Sequence, residues 1–184
     1  MKNRHPAINM IYYFAYGSNL HPLRMKERVP SAELQSSASI SGFRLVFNKT
    51  GVDGSAKCNL EETTDPAATV YGAIYKIKKE HKPILDKFES LNKGYVDTVI
   101  RVEIGGKLVN CFTYVAQKEY IDNELKPFHW YKRLVILGAT YLNFPVDYIK
   151  MVESVESVED NNMKRRQEHE QLIEQMKRLQ PTCH

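Results

Sequence analysis

The hydrophobic positions of this chain change period along its length, and each change marks an element. Met10–Tyr16 is rich in Ile, Tyr and Phe and ends at Gly17, which predicts a buried strand. Leu20–Val29 carries apolar insertions in a polar stretch. Pro22 suits its first turn and Pro30 closes it, so a short helix is expected. In Ile40–Asn48, Phe43, Leu45 and Phe47 alternate with Arg44 and Val46 at strand spacing, and a turn-rich loop, Thr50–Gly54, follows. Ala56–Leu60 reads as another short strand. After Pro66, Thr69–Ile77 interleaves Val70, Gly72 and Ile74 with Tyr71, Ala73 and Tyr75, again as a strand. Lys78–Ser90 switches to helical spacing through Ile84, Leu85 and Phe88, with Asn92 and Gly94 as stop signals. Tyr95–Ile104 and Leu108–Val115 flank Gly105-Gly106, a two-residue hairpin turn. Phe128–Leu142 predicts a buried helix, and Pro145–Val158 begins another.

Strands and helices do not alternate regularly, which argues against a doubly wound sheet. The expected class is α+β: a small mixed or antiparallel β-barrel with flanking helices, plus a C-terminal helical extension. In that extension, Met163–Leu179 places Leu172, Met176 and Leu179 on one face among charges. So narrow a stripe predicts a solvated helix that docks weakly on the body, and its sharper use is a homodimer contact.

Charge supports this division of the 184 residues. Residues 153–184 hold seven acids and five bases, whereas residues 1–152 hold 15 acids and 21 bases and all 19 aromatics. Aromatics dominate the energetics of cores and pockets. A folded, functional domain over 1–152 and a charged helical tail over 153–184 are therefore expected. The basic residues of the body are scattered, and no basic cluster outside the tail exceeds two residues, so nucleic acid is not an expected partner.

No stretch approaches 18 continuous apolar residues, so neither a membrane span nor a membrane partner is expected. Lys2 and Arg4 before Ile8–Ala15 faintly imitate a signal peptide, but the run passes into Tyr16-Gly17 without a small-residue cleavage site. Cys58, Cys111 and Cys183 form no CxxC pair, which fits a reducing cytoplasm. Cys111, in an apolar strand-like run, reads as a buried structural thiol.

Several chemistries lack their motifs. There is no GxGxxG, no GxxxxGK[ST] and no G-x-S-x-G elbow, and the six histidines are dispersed without HExxH spacing. No metal and no organic cofactor are expected.

Three features remain. The first is the turn Tyr13-Phe14-Ala15-Tyr16-Gly17-Ser18-Asn19-Leu20. Gly17 permits close backbone approach, and a helix starting just beyond would aim free N–H groups at the turn, suited to a carboxylate or carbonyl oxygen. An ordinary strand-to-helix turn has the same composition. The second is Glu89, at the end of Leu85-Asp86-Lys87-Phe88-Glu89. An anion there meets the unfavourable end of the helix dipole, which suits a general base, but spacing alone does not separate it from Asp86. The third is Tyr131, in His129-Trp130-Tyr131-Lys132-Arg133. With Tyr114 it offers a pocket two hydroxyls, although a core tyrosine with a satisfied hydroxyl is commoner.

In this order the three features resemble the gamma-glutamylcyclotransferase family. The resemblance runs from Phe14-Ala15-Tyr16-Gly17-Ser18-Asn19-Leu20 through Leu85–Glu89 and Gly94-Tyr95 to Tyr131–Ala139, and covers roughly residues 12–150. It implies a small β-barrel with helices beside it. It also implies a small-molecule γ-glutamyl substrate, cleaved by cyclisation to 5-oxoproline and a free amine or amino acid. The position matching Glu89 is the family's catalytic acid/base. The segment matching Tyr13, Phe14, Ala15, Tyr16, Gly17 and Ser18, with Asn19, binds the γ-glutamyl moiety, and Tyr131 contacts substrate. Some members carry Gln where this chain has Phe88, which leaves the leaving amine open. A non-catalytic module binding a carboxylate metabolite in the same pocket is the alternative.

Overall fold

The computed structural model describes residues 9–180. Lys2, Arg4, His5, Cys183 and His184 lie outside them. Seven strands and five α-helices are formed: β1 Met10–Ala15, α1 Pro22–Arg28, β2 Glu33–Ser41, β3 Phe43–Thr50, β4 Ala56–Glu62, β5 Thr69–Lys78, α2 Lys82–Phe88, β6 Tyr95–Ile104, β7 Lys107–Ala116, α3 His129–Tyr141, α4 Val146–Ser154 and α5 Met163–Arg178.

Five strands make one sheet in the order β2-β5-β1-β7-β6, and β3 pairs with β4 in a separate ribbon. β1 lies at the sheet's centre, antiparallel to β5 and parallel to β7, so Tyr13 faces Tyr75 on one side and Phe112 on the other. The β6–β7 hairpin turns at Gly105 and Gly106, both at positive φ, as their sequence predicts.

Two expectations are corrected. The alternation over Ile40–Asn48 is not one strand. The chain turns at Gly42 (φ 79°), and the residues before it belong to β2. β2 reads ELQSSASIS; its inward face is Leu34, Ser36, Ala38 and Ile40, and the serine and the small alanine on that face weaken the period-2 signal. The barrel is also not closed. After Gly42, β3 leaves the sheet to pair with β4 alone, and no ladder joins β2 to β6. The α+β class stands, as an open mixed sheet with a ribbon and helices.

α3 buries Trp130, Tyr131, Leu134, Val135, Gly138 and Ala139, a helical repeat of one apolar face. α4 and α5 pack against it. α5 does not dock weakly: Leu172, Ile173 and Met176 are buried, and only Leu179 of the expected stripe stays half-exposed. Just before α5, the Asp160 carboxylate accepts from Trp130 Nε1 at 2.8 Å and from Arg165 Nε and NH2 at 2.7 and 2.6 Å. This fixes the segment to the start of α3. Among the described residues, no helix is long and apolar enough to cross a membrane.

Candidate active site

β1 delivers its C-terminal end to the site. Beyond Ala15, the Leu20 N–H donates to the Gly17 carbonyl at 3.1 Å, closing a turn. The N–H groups of Gly17, Ser18 and Asn19 donate to no protein acceptor among the described residues. Gly17 is needed for space, because a Cβ there would lie 3.0 Å from Cys58 Cβ and 3.5 Å from the Tyr131 hydroxyl. Gly138 works similarly on α3, where a Cβ would meet Leu20 Cβ at 2.4 Å. This close approach seats α3, and with it Tyr131, against the turn. The helix N-terminus lends the turn little of the expected help. Pro22 has no N–H, the Leu23 N–H goes to His21 Nδ1 and the Met25 N–H goes to the His21 carbonyl.

Tyr13, Tyr16, Gly17, Ser18, Asn19, Cys58, Glu89, Tyr95, Tyr114 and Tyr131 enclose a cleft with about 20 Å³ of free space, roughly one water. Most tyrosine hydroxyls here are committed. Tyr16 donates to the Tyr114 carbonyl and Tyr95 to the Cys58 carbonyl, each at 2.5 Å, and Tyr114 donates to Asp86 at 2.6 Å. The Tyr13 and Tyr131 hydroxyls instead accept, from Asn19 Nδ2 at 3.2 Å and the Cys58 N–H at 3.0 Å. Burial pushes both well above the ordinary tyrosine range, with the Glu89 charge adding to it, so both keep a proton to donate. Burial also pushes the Cys58 thiol up to about 12, which removes it as a nucleophile.

Glu89 caps the C-terminus of α2, with its N–H on the Leu85 carbonyl. The helix stops earlier than Asn92 and Gly94 suggest, because Ser90 turns left-handed at φ 52°. Oε1 of Glu89 accepts from Asn19 Nδ2 and from Arg28 NH1, each at 2.9 Å. Oε2 has no partner among the described residues. Asp86, its rival by spacing, is occupied by Lys82 at 2.8 Å and by the Tyr114 hydroxyl.

Of the residues proposed from sequence, Tyr13, Tyr16, Gly17, Ser18, Asn19, Glu89, Tyr114 and Tyr131 converge on this cleft. Phe14 and Ala15 do not. Their side chains are fully buried in the sheet, with Phe14 against Gly72.

Ser18, Glu89, Tyr95 and Tyr131 also border a second, larger cavity of about 180 Å³. Its other walls include Arg24, Arg28, Lys49, Asp53, Lys57, Phe88, Trp130 and His169. Apart from Phe88, these groups are not among those the sequence points to. Arg24 and Arg28 share one face of α1 at i, i+4, a signal within reach, whereas Lys49, Lys57 and His169 come from distant segments. Among the described residues, no three His, Cys, Asp or Glu side chains converge to hold a metal.

The AIG2-like family model matches residues 69–152. A bovine protein named gamma-glutamylcyclotransferase is 32% identical over 155 residues, 78% of each chain. A human protein of the same name is 29% identical over 158 residues, 82% of this chain and 81% of the relative. A solved structure titled gamma-glutamyl cyclotransferase superposes with a TM-score of 0.79 at 26% identity, covering 91% of this chain and 99% of that one. The turn, the acidic cap of α2 and the tyrosine of α3 thus belong to a chain of the gamma-glutamylcyclotransferase family of enzymes.

Proposed function

We propose that the protein cleaves a γ-glutamyl amino acid or γ-glutamyl amine by intramolecular cyclisation, giving 5-oxoproline and the free amine, with Glu89 as the shared acid and base. One observation carries this reading. Glu89 sits where the two cavities meet, and its carboxylate is clamped through Oε1 by Asn19 and Arg28 while Oε2 is left unclaimed.

The γ-glutamyl unit is larger than the free space of the inner cleft, so it also occupies the mouth around Ser18 and Glu89. Its carboxylate or carbonyl oxygen meets the unpaired N–H groups of Gly17, Ser18 and Asn19. Oε2 of Glu89 takes a proton from the α-ammonium. The freed amine attacks the γ-carbonyl carbon, a C–N bond closes the five-membered ring, and the loop N–H groups stabilise the oxyanion. The original amide C–N bond breaks as Glu89 returns the proton to the leaving nitrogen and the ring nitrogen gives up its second proton to the same departing group, which leaves as the ammonium while the ring is left as the neutral lactam. The nucleophile belongs to the substrate, so holding the bent conformer is itself a large part of catalysis. Tyr13 and Tyr131, with protons to donate, line the same space.

In this reading residues 1–152 carry the reacting groups, and the tail contributes α5, which lends His169 to the outer wall. The free, buried Cys58 and Cys111 suit a reducing cytoplasm. The test is to incubate the full chain with γ-glutamyl amino acids and γ-glutamyl amines and measure 5-oxoproline. Product from the wild type and its loss in Glu89→Gln support the reading. Full activity in Glu89→Gln, or calorimetric binding without any product, overturns it.

A further inference from the structure

The outer cavity has four cations in its walls, and they divide into two kinds. Arg28 pairs with Glu89 at 2.9 Å, and Lys57 pairs with Asp53 at 2.7 Å while also donating to Ser55 Oγ. Arg24 and Lys49 pair with no carboxylate among the described residues. Arg24 is 6% exposed and Lys49 3%. The Nε of Arg24 is buried without any hydrogen-bond partner. Nζ of Lys49 has no hydrogen-bond partner among the described residues and rests 4.6 Å from the centroid of the Tyr95 ring.

Unpaired buried charge is expensive. Burial, with Arg28 nearby, pulls Arg24 down to about 9, so it is still charged at neutral pH. Burial also lowers Lys49. Lys49 is brought inward by a local irregularity. The β3–β4 register shifts between Phe47 and Lys49, and Asn48 and Lys49 are both buried in succession. Such bulges re-aim side chains beside active sites. Asp53 and Glu89 each already have a cation partner, so the cavity is left with two uncompensated positive charges, one from α1 and one from β3.

We propose that Arg24 and Lys49 form a subsite for a leaving group bearing two carboxylates, so that the preferred substrate is a γ-glutamyl amide of an acidic amino acid. The proposal rests on Glu89 as the site of cyclisation. The γ-glutamyl head lies against the Gly17–Asn19 turn and the scissile amide at Glu89, which directs the leaving amino acid into the outer cavity. Two separate cations on different elements match two carboxylates better than one.

The test compares γ-glutamyl-glutamate, its near-isostere γ-glutamyl-glutamine and γ-glutamyl methylamide, using the full-length wild type, Arg24→Met and Lys49→Met. The wild type should favour the glutamate substrate over the glutamine one at least tenfold in kcat/KM. One substitution should abolish that preference. The other, by losing the carboxylate common to both, should lower both relative to the methylamide by at least tenfold. Calorimetric titration of Glu89→Gln with the two dipeptides gives the same comparison without turnover. A glutamate preference there without 5-oxoproline from the wild type would uphold the subsite and refute the proposed reaction. Equal use of glutamate and glutamine by the wild type overturns the subsite. So does an equal loss on all three substrates in both variants, which would place the cations on the γ-glutamyl head. Arg24→Met should also melt higher than wild type in the absence of ligand, because it removes an unpaired buried charge; a sharp fall in Tm would mark Arg24 as structural. Lys49→Met reports separately if Arg24→Met does not fold.

Discussion

Glu89 and Asp160 are both carboxylates paired with an arginine, yet they are built for opposite purposes. Asp160 is saturated. Its two oxygens receive Trp130 Nε1, two guanidinium N–H groups of Arg165 and the Asn162 N–H, and its side chain is fully buried. Arg165 holds its carboxyl well below the usual carboxylate range. Glu89 is satisfied at one oxygen only and borders both cavities. A carboxylate with every lone pair occupied holds the fold, whereas one clamped at a single oxygen is positioned and still able to move a proton.

The sharpest way to break this comparison is to neutralise each carboxylate in turn. Glu89→Gln keeps the shape and removes the proton acceptor, so activity should fall about 100- to 10,000-fold in a 5-oxoproline assay. Its Tm should fall less than that of Asp160→Asn, because Glu89 accepts two hydrogen bonds and Asp160 four. Asp160→Asn should do the reverse. It leaves Arg165 without its counter-charge and costs about 2–3 kcal/mol in urea unfolding. The folded fraction should keep its kcat, since Asp160 borders neither cavity. Lost kcat with unchanged stability in Asp160→Asn would erase the distinction.

Much of this contrast was hidden in the sequence, for physical reasons. Asp86 and Glu89 are three residues apart on one short helix, and only the packing of Lys82 and Tyr114 on Asp86 separates them. The turn from Tyr13 to Asn19 was legible because a buried strand running into a glycine is a local signal. Phe14 and Ala15 belong to the same segment but lie outside the cleft: strand alternation turns Phe14 to the face opposite Tyr13, against Gly72, and Ala15 is fully buried in the sheet. The β6–β7 hairpin was equally legible, from Gly105-Gly106. β2 was not, because its inward face carries Ser36 and Ala38 between Leu34 and Ile40, which blurs the period. The outer cavity gathers α1, β3, β4 and α5, and no local pattern encodes that meeting. The apolar stripe of the tail is narrow in sequence, which predicts weak docking, but the depth to which it is buried is not a local signal. The tail's anchors are Asp160 and the buried Leu172, Ile173 and Met176.

The seam between α3 and α5 gives the smallest effect and refines the contrast through pH. His169 stacks on Trp130 with ring centroids 3.7 Å apart. Burial lowers its pKa to about 4, and Arg24, Lys57, Arg28 and Arg165 add repulsion. The unfolded chain takes up this proton near pH 6.5. Between about pH 6.5 and 4 the unfolded state therefore binds more protons than the folded one, and stability falls as acid is added, levelling off below about pH 4. Allowing for partial solvent screening, the loss should be about 1–2 kcal/mol. His169→Phe preserves a stacked ring and removes the titration, so its Tm should depend less on pH in this window. The Asp160 contribution, fully present above the ordinary carboxylate range, should remain in the variant and fade only at still lower pH. An unchanged pH dependence in His169→Phe would move the acid sensitivity of this seam to Asp160 alone.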